Sequence, residues 1–552
     1  MPTLNPDAFP SATNQRFSVF ILTVGAQAWI LGDWYANFLP PPFNAIEDVY
    51  ISALACTYSF FMAYLIYLLH PKMITRREKL TELCSNTHPQ IYRTLEKLAQ
   101  ITGCQTPRVL RSENLRRQSA KVFGIGKNKI LKLDGGLILL RARDPDKFEA
   151  IILHELAHIK YRDIFKGYYA RCLFWVAFIA TIPIILFRGI GYIIQFINVY
   201  PQMLIHLDTG NYKWFALWHL QNIPNFVSSI APFLFMQFIL TIEYCSILRA
   251  REHHADWAAS VHGARDTLLS IFESSQTPSV AKGADIFKRH PTLSKRANFI
   301  TEPAKAAFET NGLDAFLTAY AVCSIFQITV LATELLSAIT GKDWSENFDA
   351  LLTTLPLLII GNIYAAIIWS RMIQKFSTGE WLTKSQWKTR TFHFLQLSTY
   401  AALGALSGAI FWPEEFYSAI TLPKLASSFQ SGLYFLPALL ISAYFCSVFT
   451  VFGIARSEGE SKPKSLFIIG HLITLCGFNA GMLYSGYWLR TPTTTEAFDS
   501  LGIPLLQFTI IGLAQLLIYM TILVGLFKLF MRRRSRVSPD AHAPAWLLIP
   551  ER

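Results

Sequence analysis

The sequence predicts a mainly α-helical, polytopic membrane protein that also carries an α+β domain outside the bilayer. Hydrophobic residues make up 52% of the 552 residues and charged residues only 16%, whereas about a quarter of a typical soluble protein is charged. The mean hydropathy is +0.31. Apolar runs of the length that spans a hydrocarbon core recur along the chain, while residues 71–171 are polar and strongly charged.

Ten apolar runs are predicted to cross the membrane. The first, Phe17–Leu39, is too long for the core of a signal peptide and lacks a convincing cleavage site, so it is interpreted as an uncleaved span. The others are Val49–Leu69, Cys172–Phe187, Phe226–Leu248, Ala315–Ile339, Ala350–Ser370, Phe392–Trp412, Gly432–Ala455, Leu466–Leu489 and Leu505–Phe530. The segment Ile190–Leu220 mixes aromatic and polar residues, which fits interfacial helices better than a further span.

The distribution of Lys and Arg predicts the orientation. With a cytoplasmic N-terminus, 45 of the 50 Lys and Arg fall on segments that face the cytoplasm, as the positive-inside rule requires. We therefore expect an integral membrane protein whose segments 71–171 and 249–313 face the cytoplasm. A bacterial inner membrane is the first expectation and an endoplasmic-reticulum membrane the second. Attraction to anionic lipid explains the net charge of +13, and no nucleic-acid partner is predicted, because no nucleic-acid motif accompanies the charge.

One stretch carries chemistry. Asp144 is predicted to cap a helix that begins at Pro145 and runs through His154-Glu155-Leu156-Ala157-His158. Residues four apart share a helical face, so His154 and His158 would present two imidazoles to one metal ion, with Glu155 beside them to deprotonate water. This pattern is typical of zinc proteases. The alternative is a surface helix that carries two histidines by chance.

A third ligand is expected downstream, because catalytic zinc usually takes three protein ligands. Glu252 and Asp256 are four residues apart in a segment with helical character. Glu252 would complete the zinc shell, and Asp256 would accept a hydrogen bond from the far nitrogen of a ligating histidine. His253 and His254 are the competing ligands and are ranked lower, since they point to other faces of the helix.

The motifs together resemble a known family. They are HELAH followed by Arg162-Asp163, then the segment Arg251–Asp256, and then His290-Pro291 with Arg296. In this order, with spans between the first two, they resemble the M48 family of membrane-associated zinc metallopeptidases, which includes the HtpX and Ste24 types. The resemblance covers Lys72–Ile300. It implies a cytoplasmic α+β zincin-type metalloprotease domain.

The resemblance also implies roles for individual residues. One Zn²⁺ would be bound by His154, His158 and Glu252, and Glu155 would be the general base. His290 would lie near the site and stabilise the oxyanion; the alternative is a turn residue before Pro291.

One position departs from the family pattern. Lys121 stands where the family usually has an asparagine, before the strand that holds the substrate backbone. The strand itself is predicted at Lys129–Leu133, which alternates polar and apolar residues and stops at Gly135-Gly136. An extended peptide could add to the edge of such a strand.

Four parts are expected along the chain. Residues 1–70 form a two-helix anchor, and 71–313 an M48-like peptidase domain that includes two transmembrane helices. Residues 314–530 form a six-helix membrane domain of unknown role, and 531–552 a basic cytoplasmic tail. Polar residues inside the apolar runs are expected to face protein or water, either packing helices or lining a path; they are Glu243, Glu334, Asn362 and His471.

The predicted function is zinc-dependent hydrolysis of peptide bonds in membrane or membrane-proximal, including misfolded, proteins at the cytoplasmic face. Three alternatives stay open. A Ste24-like prenyl-peptide processing protease is suggested by the number of spans. A site-2-type intramembrane protease is disfavoured, because Lys160, Arg162 and Asp163 follow the motif at once. The third is a transporter, channel or sensor that is built on the later spans and regulated by the protease domain.

Overall fold

The computed structural model describes residues 12–36, 48–210, 212–274, 284–302 and 312–321, with isolated positions between 324 and 408. These residues are mostly helical and contain one small sheet, which confirms the predicted mainly α class for this part of the chain. The span predicted at Ala315–Ile339 is described only in its first turns and at one later position. The five predicted spans after residue 350 and the basic tail lie outside the described residues, apart from isolated positions.

The elements follow one another in a simple order. The helices are α1 (Ala12–Ala36), α2 (Asp48–Arg77), α3 (Pro89–Thr102), α4 (Gly135–Arg143), α5 (Pro145–Lys160), α6 (Asp163–Asp208), α7 (Tyr212–Ala259), α8 (Arg265–Ser274) and α9 (Leu293–Thr301). The strands are β1 (Thr81–Glu82), β2 (Arg108–Ser112), β3 (Ala120–Ile125) and β4 (Asn128–Asp134). A π-helical turn, Ser260–Ala264, joins α7 to α8, and a 3₁₀ turn, Ala284–Phe287, precedes α9.

Four helices of the described residues are long and apolar enough to cross a membrane: α1, α2, α6 and α7. They contain the second, third and fourth predicted spans and the first as far as Ala36. Helix α1 packs against each of the other three, while apolar side chains on the outer faces of α2 and α6, such as Phe61 and Ile179, are exposed. Such a surface is stable only in contact with lipid or further apolar helices. The total of ten spans is not shown by this part of the chain.

The segment Ile190–Leu220 differs from the expectation of separate interfacial helices. Helix α6 continues through it to Asp208, and α7 begins at Tyr212. The chain reverses at Gly210, which has φ +74°, a conformation that glycine adopts without steric cost. The two helices therefore form one long hairpin.

The four strands form a sheet in the order β1-β2-β4-β3. The strand predicted at Lys129–Leu133 is confirmed within β4. The expectation that it offers a free edge is wrong, because β4 pairs with β2 in parallel on one side and with β3 antiparallel on the other. The edge strand next to β4 is β3, which contains Lys121.

Helix α5 begins as predicted. The carboxylate of Asp144 accepts a hydrogen bond from the backbone N–H of Lys147 at 3.1 Å, and Pro145 occupies the first turn. One face of α5 belongs to the same buried cluster as the sheet. The fully buried members of this cluster on α5, β3 and β4 include Phe148, Ile152, Leu156, Phe123, Leu131 and Leu133. This packing fixes the orientation of the opposite face of α5.

Of the four polar residues in the predicted spans, Glu243 lies in the described part of the chain. It is 2% exposed and accepts a hydrogen bond from the Thr23 hydroxyl at 2.9 Å. Gln27 similarly donates to Thr181 at 2.7 Å. These bonds join α1 to α7 and to α6, which favours a role in helix packing for Glu243. Glu334, Asn362 and His471 lie outside the described residues.

Candidate metal centre

The three predicted ligands, His154, His158 and Glu252, converge in space, although 94 positions of the sequence separate His158 from Glu252. The Nε2 atom of His154 lies 3.7 Å from Oε2 of Glu252, and Nε2 of His158 lies 3.7 Å from Oε1 of the same carboxylate. One donor atom of each residue falls within 4.8 Å of the others, and all three residues are buried. The structure therefore brings together two imidazoles and a carboxylate in a geometry that one ion can bridge.

Small residues make this convergence possible. Helices α5 and α7 meet through a buried cluster of alanines, Ala157 from α5 and Ala255 and Ala258 from α7, with Tyr161 at its margin. Methyl side chains allow two helices to approach more closely than larger ones do. Ala157 adjoins His158, and Ala255 lies within one turn of Glu252, so this contact helps to set the distance between the two ligand-bearing faces.

Each imidazole also faces a carboxylate on its other nitrogen. His154 Nδ1 lies 2.9 Å from Oδ1 of Asp256, and His158 Nδ1 lies 3.8 Å from Oδ2 of Asp163. Both carboxylates are completely buried. A carboxylate at Nδ1 favours the tautomer that carries its proton there, which leaves Nε2 free to bind a metal. Asp256 was predicted in this role, whereas Asp163 was noticed only as part of a motif.

The chain of contacts behind His154 extends one residue further. Arg296, on α9, donates from Nε and Nη2 to the two oxygens of Asp256, both at 2.6 Å. This two-point contact fixes the plane of the carboxylate. Asp256 is therefore held between Arg296 and His154.

The electrostatics of the buried pocket suit a cation. Burial opposes protonation of His154, but the hydrogen bond to Asp256 and the negative charges of Asp256 and Glu252 outweigh it and raise the pKa of His154 to about 10. Burial and the nearby Arg251 guanidinium lower the pKa of His158. The pocket thus stabilises positive charge beside Glu252 while keeping the second imidazole neutral. Two imidazole nitrogens and one carboxylate oxygen form a donor set that Zn²⁺ accepts, so the residues present fit that ion.

The competing ligands lie elsewhere. The ring of His253 stacks on Phe299, with centroids 4.7 Å apart, and His254 meets Tyr161 edge-on at 4.2 Å. Neither histidine belongs to the group of ligand atoms that could hold one metal ion. Among the described residues, the structure favours Glu252 as the third donor.

Glu155 lies between this centre and the edge strand. Its Oε2 accepts a hydrogen bond from the backbone N–H of Val122 at 2.8 Å, and the hydroxyl of Tyr168 lies 3.5 Å from the Val122 carbonyl oxygen. Val122 is paired with Leu131 in the antiparallel ladder, but these two contacts show that its main-chain groups point away from β4. The outward edge of β3 therefore faces Glu155.

His290 and Lys121 stand at the margins of the centre. The Nδ1 atom of His290 lies 3.4 Å from Oε2 of Glu252, and the side chain is 69% exposed. Proximity to Glu252 agrees with the expectation that His290 lies near the site, although it also precedes Pro291 in a turn. The ammonium of Lys121 lies 5.6 Å from the centre of the Tyr168 ring, and burial lowers its pKa.

Arg251 was noted in the sequence only as part of the segment Arg251–Asp256, without a role of its own. Its Nη2 donates to Oε1 of Glu252 at 2.9 Å, and the side chain is only 19% exposed. Gly167 of α6 makes room for it, because a Cβ at that position would lie 2.9 Å from Nη1. The position next to Glu252 was the available signal, but sequence adjacency alone does not distinguish a contact from a neighbour on another face.

The comparisons with known proteins agree with this geometry. Residues 85–304 match the model of peptidase family M48, which confirms the resemblance for this segment. Similar curated proteins are named Protease HtpX homolog and come from Burkholderia ambifaria, Burkholderia cenocepacia and Burkholderia multivorans. Each is 29% identical over 112 residues, which is 20% of this chain and 38% of the relative. The match thus spans well under half of these relatives, and no solved structure matches significantly.

Proposed function

We propose that the M48-like segment is the core of a zinc-dependent endopeptidase that hydrolyses peptide bonds in membrane or membrane-proximal proteins. The convergence of His154, His158 and Glu252 is the observation that carries the proposal. A chance HExxH helix would have no reason to meet a buried carboxylate from a distant helix. The peptidase names of the family and of the relatives support the same reaction class.

The three converging residues would hold one zinc ion through the two Nε2 atoms and the Glu252 carboxylate. Three protein donors of this kind are typical of catalytic sites. A zinc ion bound here supplies Lewis-acid activation of water and of the scissile carbonyl. Asp256 and Asp163 keep the protons of both imidazoles on Nδ1 and hold the ring orientations.

Glu155 is assigned as the general base that takes a proton from water and passes it to the leaving amine. Without substrate, its carboxylate accepts the Val122 N–H. A substrate main chain that adds to the edge of β3 presents a carbonyl to such N–H groups. The substrate carbonyl would then replace Glu155 at Val122, and the carboxylate would become available for proton transfer.

His290 is assigned to oxyanion stabilisation. Its imidazole lies beside Glu252 but is largely exposed, so it faces the open side of the centre. An imidazole N–H can donate to the oxygen that gains charge when water attacks the carbonyl. Lys121 and Tyr168 would line the adjoining stretch of the substrate strand.

The domain boundaries and the location complete the proposal. Residues 71–313 would be the peptidase unit, residues 1–70 an anchor, 314–530 a membrane domain of separate role, and 531–552 a cytoplasmic tail. The excess of basic residues on segments 71–171 and 249–313 favours a centre at the cytoplasmic face, in a bacterial inner membrane.

The decisive experiment compares Glu155→Gln with the wild-type chain, both purified at full length in detergent and loaded with zinc. We expect the variant to bind one equivalent of zinc but to cleave dye-labelled casein about 10²–10⁴-fold more slowly, because proton transfer is lost. Glu149→Gln is the matched control, since Glu149 lies on the same helix but pairs with Lys97 at 3.5 Å, away from the centre. Normal cleavage by Glu155→Gln, or a wild-type chain that binds no zinc, would refute the proposal.

A further inference from the structure

The turn that leads to His290 is held by one side chain of α7. Nη1 of Arg249 points at three backbone carbonyl oxygens, those of Asp285 at 3.3 Å, Ile286 at 2.6 Å and Lys288 at 2.8 Å. A short 3₁₀ turn satisfies few of its own carbonyl groups; that of Asp285 also accepts from the backbone N–H of Lys288 at 3.3 Å. The guanidinium satisfies these carbonyl groups with charge-assisted hydrogen bonds, which are about twice as strong as neutral ones.

Other contacts reinforce the same turn. The Cys245 thiol, one helical turn before Arg249, donates to the Phe287 carbonyl at 3.2 Å. The Asp285 carboxylate pairs with Lys288 at 2.8 Å and with Lys295 at 3.1 Å. The pairs with lysines are exposed and contribute little on their own. The anchor to α7 therefore rests on Arg249 and Cys245.

The anchor has a geometric consequence for the metal centre. Arg249 lies three residues before Glu252 on the same uninterrupted helix, so the two side chains keep a fixed spacing. His290 follows the anchored carbonyls by two residues and reaches Glu252 at 3.4 Å. Because the His290 side chain is 69% exposed, packing around the imidazole does little to hold it. Its position depends on the backbone that Arg249 holds.

We propose that Arg249 is a positioning residue for His290 in peptide-bond hydrolysis. The inference rests on the proposed function, since it assumes that His290 donates to the oxyanion. Arg249 does not touch the reacting atoms. It fixes the backbone of residues 285–288, so that the imidazole of His290 is presented on the side of Glu252 where the substrate carbonyl would lie.

The test compares five full-length, zinc-loaded proteins: wild type, Arg249→Gln, Arg249→Lys, His290→Ala and the double variant Arg249→Gln/His290→Ala. We expect His290→Ala to lower kcat about 10²–10³-fold, the usual cost of losing one oxyanion donor. Arg249→Gln should lower kcat about tenfold or more, with zinc content and KM nearly unchanged, and Arg249→Lys should restore part of the loss. The double variant should be no slower than His290→Ala, since residues that act through one another are not additive.

A second readout separates this inference from the proposed function. Amide hydrogen exchange of residues 285–290 should accelerate in Arg249→Gln, whatever the activity. Arg265→Gln is the control, because Arg265 donates to a single carbonyl, that of Thr301 at 3.5 Å, outside the turn. The inference would be overturned if Arg249→Gln left the amide exchange of residues 285–290 or the kcat unchanged. It would also be overturned if the loss of kcat in the double variant equalled the product of the two single losses. If exchange accelerates in Arg249→Gln but His290→Ala is fully active, the catalytic role of His290 is refuted, and with it the positioning role of Arg249 in hydrolysis, although the structural anchor of the turn is supported.

Discussion

Replacing Asp256 by Asn tests whether the contacts behind His154 control zinc binding. The substitution keeps the shape of the side chain but removes its charge. An amide can accept from His154 Nδ1 or face Arg296 with an acceptor, but it cannot offer oxygens to His154 and to both Arg296 nitrogens, as the carboxylate does at 2.9, 2.6 and 2.6 Å. Because Oδ1 serves His154 and Arg296 Nη2 while Oδ2 serves Arg296 Nε, the single amide oxygen leaves without an acceptor either Arg296 Nε or both His154 Nδ1 and Arg296 Nη2.

The magnitude follows from the burial of these groups. Asp256 is completely buried and Arg296 is 16% exposed, so breaking the pair costs about 3–5 kcal/mol if the guanidinium stays in place. Arg296 can retreat over the Phe272 ring, 4.6 Å away, which places the cost at the lower end of that range. Loss of a carboxylate that orients a ligating histidine typically weakens metal binding about 10–100-fold, or about 1.4–2.8 kcal/mol.

The assay measures zinc affinity by competition with a chromophoric chelator and stability by thermal unfolding of the metal-free chain. Arg296→Met is the companion variant, because it leaves the Asp256–His154 contact in place and should weaken zinc binding less than Asp256→Asn does. A folded Asp256→Asn variant whose zinc affinity lies within twofold of the wild type would refute the role assigned to Asp256.

Three further predictions concern helix packing and capping. Gly167→Ala brings a Cβ within 2.9 Å of Arg251 Nη1, so it should lower zinc affinity in the same competition assay, whereas Gly189→Ala, with open space on the same helix, should not. Ala255→Leu overfills the contact between α5 and α7, which should cost about 1–3 kcal/mol and lower both Tm and zinc content. Hydrogen bonding to a backbone N–H lowers the pKa of Asp144 in the folded protein. The cap therefore stabilises the fold at pH values above the pKa that Asp144 has in the unfolded chain, and this stabilisation is lost as the pH falls through the pKa that Asp144 has in the folded protein. Asp144→Ala should therefore lower Tm at neutral pH but not in strong acid.

The parts of the centre that depend on local sequence were predictable. The spacing of His154 and His158 places both on one face of any helix, and Asp144 with Pro145 marks where that helix begins. Glu252 was chosen over its histidine neighbours because it shares a face with Asp256. The structure brings Glu252 to the two imidazoles and places the neighbours against aromatic rings.

The parts that depend on pairing between distant segments were not predictable. Alternation within Lys129–Leu133 indicates a strand, but it does not say how many neighbours that strand has. The parallel partner Arg108–Ser112 makes it central, and this pairing leaves no mark within the strand itself. The contacts of Arg251 with Glu252 and of Arg249 with the turn before His290 likewise depend on how helices pack. A basic residue next to a motif carries no such information.

Helix α7 connects the metal centre to the apolar part of the protein. This helix runs without interruption from apolar residues to Glu252 and on to Ala259, whereas the two histidines belong to a helix packed on the sheet. The proposed ligands thus come from two helices that share a hydrophobic core and, beside the ligands, touch through small alanine side chains, which bury little apolar area. An ion held by both helices would add its binding free energy to the docking of α5 on α7. Chelation should therefore loosen that docking before it unfolds either helix, and amide exchange along Ala157–Lys160 should accelerate while exchange in the membrane part of α7 stays slow.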